Sequence, residues 1–414
     1  MMATTSRYVK RKLTRVEEHN TKACLAHACE FLDGDGIASV MGLYPYDEQL
    51  QQECCRALAN TLEEFVSKNS KVKITIARWM GNMSHKTGFA DERVITTMIK
   101  FSDNEYIQTY GCSIIANLVS VSSAKMRFIT LGAIDVVCTA MYAFPTSQLI
   151  QLRGCNAIYV ITNSKYHKTK RTNFDVPAVC DVIVRAMTHF ETVEEIQVHG
   201  LMTLSCVLGW MGYYTTSLFL NVPDCIVAAT RRYPANEVIQ TLACESFKYL
   251  STVDDAIEEL LKSGVVDVLF TVMRAFTTSE NIQADGVYIF LRIVEQKNAN
   301  LVALIEAGLG EVVFAATNMT EMDCNKDLIL DVCKIVQHVV LNGRLPVDIS
   351  DKFKPKGGGS VYDKIEEIRD TLYSGYISDG SVDDFDRQLE DVAERLWYLQ
   401  EKLDAIAEQW GWLT

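Results

Sequence analysis

"NEYIQTYGCSIIANL", residues 104–118, decides the fold of this chain, because versions of it return along most of its length. Gln108 serves as an anchor: Gln51, Gln151, Gln197, Gln240 and Gln283 stand in the same pattern, and Ile329 takes that place in a seventh copy. Successive anchors lie 57, 43, 46, 43, 43 and 46 residues apart. A unit of that length cannot bury an apolar face by itself, whereas stacked copies share a continuous core; the spacing predicts a helical solenoid.

The positions around the anchor predict how each copy is built. The residue before it is always aliphatic (Leu50, Ile107, Ile150, Ile196, Ile239, Ile282, Leu328). Four residues before it stand Asp47, Asn104, Ser147, Asn236, Ser279 and Asn325, side chains able to accept the unsatisfied N–H groups of a first helical turn, with Val193 as the exception. An acid usually follows, as the positive end of a helix dipole favours: Glu48, Glu105, Glu194, Glu237, Glu280. Small residues three past the anchor (Gly111, Gly154, Gly200, Ala243, Gly286) predict a close approach by a neighbouring helix. Apolar residues seven and ten past it, such as Ile115 and Leu118 or Phe290 and Ile293, continue a 3.6-residue stripe. Ten and seven residues before the anchor, Met98 with Phe101, Met141 with Phe144, Met187 with Phe190, Met273 with Phe276 and Met41 with Tyr44 form a second signature. Methionines can line an adaptable binding surface, but one per repeat on the helix leading into the capped one reads as core.

The strings "IQTYGCSIIANL", "LQQECCRALANT", "IQLRGCNAIYVI" and "IQTLACESFKYL" resemble the third helix of armadillo repeats, which has the look of VQxxAxxALxNL. The resemblance covers about residues 20–343 and implies an all-α, armadillo-type α-solenoid of about seven repeats. It also implies a recognition scaffold with no chemistry of its own, binding an extended peptide or a partner helix along the concave face lined by third helices. Nuclear-import receptors of this family carry a Trp five past the anchor and an Asn nine past it. No Trp stands at that position here, and the Asn survives only as Asn60 and Asn117, so a regular asparagine ladder is absent.

Positions five and nine past the anchor are one turn apart and lie opposite the core stripe, so they are expected to form the exposed groove. They are polar at first (Arg56, Asn60, Ser113, Asn117, Asn156), apolar in the middle (Val160, Met202, Cys206) and mixed thereafter (Glu245, Tyr249, Tyr288, Arg292, Lys334, His338). An apolar island between polar ends suits the centre of an interface. Two loops flank that middle: "NSKYHKTKRTN", with Lys165, Lys168, Lys170 and Arg171, and "GWMGYY", with Trp210, Tyr213 and Tyr214. Basic groups beside aromatics fit an acidic or phosphorylated protein partner, or alternatively a nucleic acid; each loop is also readable as a solvated insertion and as packing.

The ends differ in character. Residues 1–16 hold Arg7, Lys10, Arg11, Lys12 and Arg15 and no acid, consistent with a targeting signal, a contact for an acidic segment or a frayed terminus. The first repeat is longer than the others, and its "SKVKITIARWMGNMS" predicts an extra helix bearing Trp79. From Gly343, "GRLPVDISDKFKPKGGGS" reads as a flexible tether. Beyond it, Phe385, Leu389, Val392, Leu396, Leu399, Leu403, Ile406 and Trp410 alternate spacings of 4 and 3, the seam of a coiled coil. Val361, Ile365, Ile368 and Leu372 add a shorter helix, and the hairpin so formed leaves the far end of the seam uncovered, for self-association or for docking on the solenoid. The expected organisation is thus a basic terminus (1–19), the repeats (20–343), a linker (344–360) and an acidic helical tail (361–414).

Composition sets the outer bounds. At 414 residues, 48% hydrophobic and 22% charged, the chain can bury a large core. The tail holds fourteen Asp and Glu against five Lys and Arg, a balance of −9 that leaves −4 of the total −13 to the rest. That argues against a broadly basic nucleic-acid surface. Thirteen cysteines with no CxxC pair and no secretion signal near Met1 read as reduced thiols in the cytoplasm or nucleus. The longest uncharged run, Gly200 to Pro223, is interrupted by six Ser, Thr and Asn residues and a Gly-Trp-Met-Gly break, so no membrane span is expected. His85, His199 and His338 belong to no catalytic motif, and neither a phosphate-binding nor a dinucleotide-binding loop is found, so no enzyme, cofactor or metal is expected.

Overall fold

The computed structural model describes residues 34–68, 90–119, 127–163, 174–209, 221–297, 299–317 and 326–342. The basic start, the Trp79 stretch, the loop residues Lys165, Lys168, Lys170, Arg171, Trp210, Tyr213 and Tyr214, the tether and the seam from Leu389 to Trp410 lie outside the described residues. The chain forms two compact units, Met1–Trp210 and Met211–Thr414.

In the first unit, four helix pairs follow one another: α1 (Gly34–Leu43) with α2 (Glu48–Lys68), α3 (Ala90–Lys100) with α4 (Glu105–Val119), α5 (Ala133–Ala143) with α6 (Gln148–Thr162), and α7 (Val176–His189) with α8 (Glu194–Leu208). Helices α2, α4, α6 and α8 carry the anchors and pack side by side in that order. The second unit has α9 (Val222–Arg232) with α10 (Glu237–Ser251), then α11 (Asp254–Ser263), α12 (Val265–Ala275) and α13 (Glu280–Val294), then α14 (Leu301–Glu306), α15 (Leu309–Thr317) and α16 (Lys326–Asn342). There α10, α13 and α16 form the corresponding row.

The anchor glutamine explains why the pairs that carry it turn at the same place; only α15 with α16, where Ile329 stands instead, is without it among the described pairs. The last carbonyls of a helix have no intrahelical donor. In each glutamine-bearing pair two of them are met by the two hydrogens of one buried amide: Gln51 Nε2 donates to Met41 O and Tyr44 O, Gln108 to Met98 and Phe101, Gln151 to Met141 and Phe144, and Gln197 to Met187 and Phe190, at 2.8–3.0 Å. The second unit repeats the clamp with Gln240 on Thr230 and Tyr233 and Gln283 on Met273 and Phe276, at 2.8–3.1 Å. All six glutamines are at most 2% exposed. The same aromatic carbonyl also accepts the N–H of the residue that opens the next helix, at 3.0–3.2 Å. The Gln and the aromatic three residues into the turn therefore act as one joint.

The expected caps are present only in part. Asp47, Asn104 and Asn236 accept from the backbone of Leu50, Ile107 and Ile239 at 3.0–3.1 Å. Ser147 and Ser279 hold the cap position but their hydroxyls make no capping bond. With the glutamine clamp and the backbone turn already fixing the helix start, a side-chain cap is dispensable there.

The small residue after the anchor has a more specific purpose than close helix approach. A β-carbon built on Gly111, Gly154, Gly200 or Gly286 would stand 2.4–2.5 Å from the methionine of the preceding helix in its own pair (Met98, Met141, Met187, Met273). Each methionine is nearly fully buried there and fills the space that the glycine leaves, as a flexible thioether can. Where Ala243 replaces glycine, Thr230 replaces methionine. The aliphatic stripes close the core between neighbouring pairs; Ile107, Ile115, Leu118, Ile150, Ile158 and Ile161 are fully buried, each stabilising the fold by about 1.5–3 kcal/mol.

Candidate functional site

On each third helix, residues two before the anchor and two, five, nine and twelve after it recur at steps of four and three, forming one stripe opposite the core. The structure leaves this stripe at least partly open. In the first unit Arg56 and Asn60 on α2 are exposed, and Asn117 on α4, Asn156 and Val160 on α6, and Met202 and Cys206 on α8 are half-buried. In the second unit Glu245 and Tyr249 on α10, Tyr288 and Arg292 on α13, and Lys334 and His338 on α16 are half-buried.

Ser113 corrects the expected map. It is 2% exposed rather than open, because an ion pair lies over it. Arg153 on α6 reaches Glu63 on α2 at 2.8 Å, passing over α4 between them. Arg153 Nη1 also donates to Ser113 Oγ at 2.7 Å, and Ser113 donates to Glu63 Oε1 at 3.0 Å. Three consecutive third helices are thus strapped by one hydrogen-bonded triad.

The second unit is tied in a comparable way. Arg292 pairs with Asp254 at 2.6 Å and with Glu295 at 2.5 Å, and its Nε donates to Ser251 O at 3.2 Å, so this guanidinium braces the α10–α11 junction rather than offering an open cation. Lys248 meets Asp285 at 2.7 Å and lies 5.8 Å from the Tyr288 ring. Burial pushes the Asp285 carboxyl above its usual range, against the lowering effect of Lys248. For Lys248, burial lowers the pKa and the Asp285 carboxylate raises it, with a net rise. Tyr249 is raised by burial and by Glu245, to which its hydroxyl is hydrogen-bonded at 3.4 Å.

Positions five and nine alone do not reach three exposed apolar residues on the stripe: Tyr106 on α4, Leu149 on α6 and Val238 on α10, 62%, 56% and 55% exposed. Extending the same three-and-four spacing back to the start of the helix finds them. Arg153 was missed for the same reason. Of the described cysteines only Cys206 is more than marginally accessible. Burial drives the thiols of Cys55, Cys112, Cys138 and Cys180 up to about 12, which suppresses the reactive thiolate. Among the described residues no group of three His, Cys, Asp or Glu side chains could hold a metal, and no helix is long and apolar enough to cross a membrane.

Helix pairs at a period near 43 residues, joined by a conserved-geometry turn and stacked through their third helices, define an all-α solenoid of the armadillo type. The chain belongs to the LRRK2 ARM repeat family, whose model matches residues 88–201 and 174–333. Among solved structures, the crystal structure of an engineered protein from the Northeast Structural Genomics Consortium shares the fold, with a TM-score of 0.55 over 94% of each chain at 15% identity.

Proposed function

We propose that this protein is an interaction scaffold without chemistry of its own, and that it binds an extended peptide or a partner helix along the third-helix stripe. The observation that supports this reading most directly is the sequence of half-buried positions on three adjacent helices of the first unit. It runs from polar (Asn117, Asn156) to apolar (Val160, Met202, Cys206), with Tyr106 and Leu149 exposed at the helix starts. An interface centre of this kind combines accessible apolar side chains with polar groups that fix register.

Selection of a displayed random peptide library on the immobilised full chain tests it. Peptides enriched on the natural protein are expected to lose at least tenfold in affinity on Met202→Asp, a change at a half-buried stripe position whose effect on folding is checked by thermal melting. Enriched peptides indifferent to Met202→Asp, or a library that yields none, would refute this reading.

A further inference from the structure

The geometry points to Arg153 as the acid-recognising residue of this surface: a bound peptide sets an Asp or Glu side chain on its guanidinium and an apolar side chain one to two turns away, over Leu149 and Tyr106. This assignment rests on the reading of the third-helix stripe as a peptide-binding surface.

Arg153 is held ready for such a ligand. Its Nη1 makes both of its hydrogen bonds among the described residues, to Glu63 and to Ser113, so Nη2 and Nε are left to bind elsewhere. An arginine presents a planar fork that matches a carboxylate with two parallel bonds, and here half of that fork is unused. The buried Ser113 hydroxyl fixes the side chain from below, so little rotamer freedom remains to be lost on binding. The head group is nonetheless reachable, with 37% of the side chain exposed.

Glu63 acts as a placeholder. Its own side chain is 45% exposed, and ion pairs of that exposure are weak. An incoming carboxylate that takes the unused Nε and Nη2 side competes with Glu63 for the same positive charge, and the apolar burial it brings offsets that competition. The apolar complement is adjacent: Leu149 lies four residues before Arg153 on α6, and Tyr106 lies seven before Ser113 on α4, so both share the stripe with the triad. Arg and Tyr beside an aliphatic contact are the composition of an interface hot spot.

The experiment uses the peptides selected on the full chain, each also made with its Asp and Glu changed to Asn and Gln. Arg153→Met is expected to weaken the acidic peptide about tenfold and the amidated one hardly at all, while Glu63→Gln strengthens the acidic peptide about threefold by removing its competitor. Peptides that lose affinity on Met202→Asp but bind Arg153→Met and Glu63→Gln as they bind the natural protein overturn the Arg153 assignment and leave the peptide-binding reading standing. Peptides indifferent to all three changes overturn both. Should Arg153→Met melt well below the natural protein, the Glu63→Gln and amidated-peptide comparisons decide alone, and no change in either overturns the assignment.

Discussion

Thr97 Oγ1 donates a hydrogen bond to Gln51 Oε1 at 2.9 Å, so the amide that clamps the first helix joint has its oxygen satisfied as well as its nitrogen. Gln240, buried in the same role, has an oxygen with no partner among the described residues. Thr97 stands eleven residues before the next anchor, and the corresponding residue before Gln283 is Val272, which is isosteric but cannot donate.

Val272→Thr is therefore expected to stabilise the protein by about 1 kcal/mol, supplying the missing donor at nearly constant volume. Thr97→Val should do the reverse and cost about 1–2 kcal/mol, because it orphans Gln51 Oε1 in a buried site. Urea denaturation of both variants checks the pair. Destabilisation by Val272→Thr means that its hydroxyl does not reach Gln240.

Met141 and Gly154 give a second prediction. A β-carbon on Gly154 would come within 2.5 Å of the Met141 sulfur and 2.6 Å of its Cγ, too near the root of the side chain for a terminal rotation to relieve. Gly154→Ala should thus lose about 1–2 kcal/mol from overpacking, more than the helix gains by losing an interior glycine. In a Met141→Thr background the same change should cost little, reproducing the Thr230 and Ala243 pairing already present in the second unit. A double-mutant cycle measures the coupling; additive effects contradict the proposed steric pairing.

Gln151→Leu removes both donors from Met141 O and Phe144 O while leaving the volume similar. Met141 O then lacks a partner, while Phe144 O keeps only the N–H of Ser147, and a loss of about 1–3 kcal/mol is expected. Gln151→Glu should be at least as damaging at neutral pH, since an ionised carboxylate cannot donate at all. Thermal melting compares the two, and a loss below that of an ordinary surface substitution would contradict the clamp.

These joints explain how far the sequence could be read. The anchor glutamine, the aromatic seven before it, and the methionine opposite a glycine are each required by a local contact within one helix pair, so they recur at fixed spacing and expose the repeat. The occupants of the exposed stripe obey no such rule. Ser113 holds an open position by its spacing, yet it is buried by Glu63 and Arg153, residues 50 and 40 positions away in the chain. Arg292 is likewise removed from the stripe's free charges by Asp254, which belongs to a helix with no counterpart in the anchor pattern. Ser147 and Ser279 stand at the cap position without capping, because the composition of a helix start does not reveal that a glutamine elsewhere has already fixed it.

The buried thiols are expected to weaken the fold as pH rises into the alkaline range. Cys55, Cys112, Cys138 and Cys180 are each pushed from the ordinary value of 9.0 up to about 12, with burial as the largest cause. A raised folded-state pKa means that the native chain keeps the proton longer than the unfolded one. Below about pH 9 both states are protonated and the thiols are neutral to stability; between there and about pH 12 only the unfolded chain ionises, so stability falls as pH rises. Each thiol then contributes a loss on the order of 2 kcal/mol by about pH 10.5. Urea midpoints measured from neutral pH upward should show this decline, and Cys112→Ala should flatten it by one thiol's share, which separates the effect from lysine and tyrosine titration. The same burial predicts alkylation order: in peptide-resolved iodoacetamide labelling near pH 8, Cys206 is modified ahead of Cys55, Cys112, Cys138 and Cys180. Equal labelling of Cys112 and Cys206 would mean that the α4 core opens faster than the reagent reacts, and a Cys112→Ala variant with an unchanged pH profile would show that the buried thiols do not govern alkaline stability.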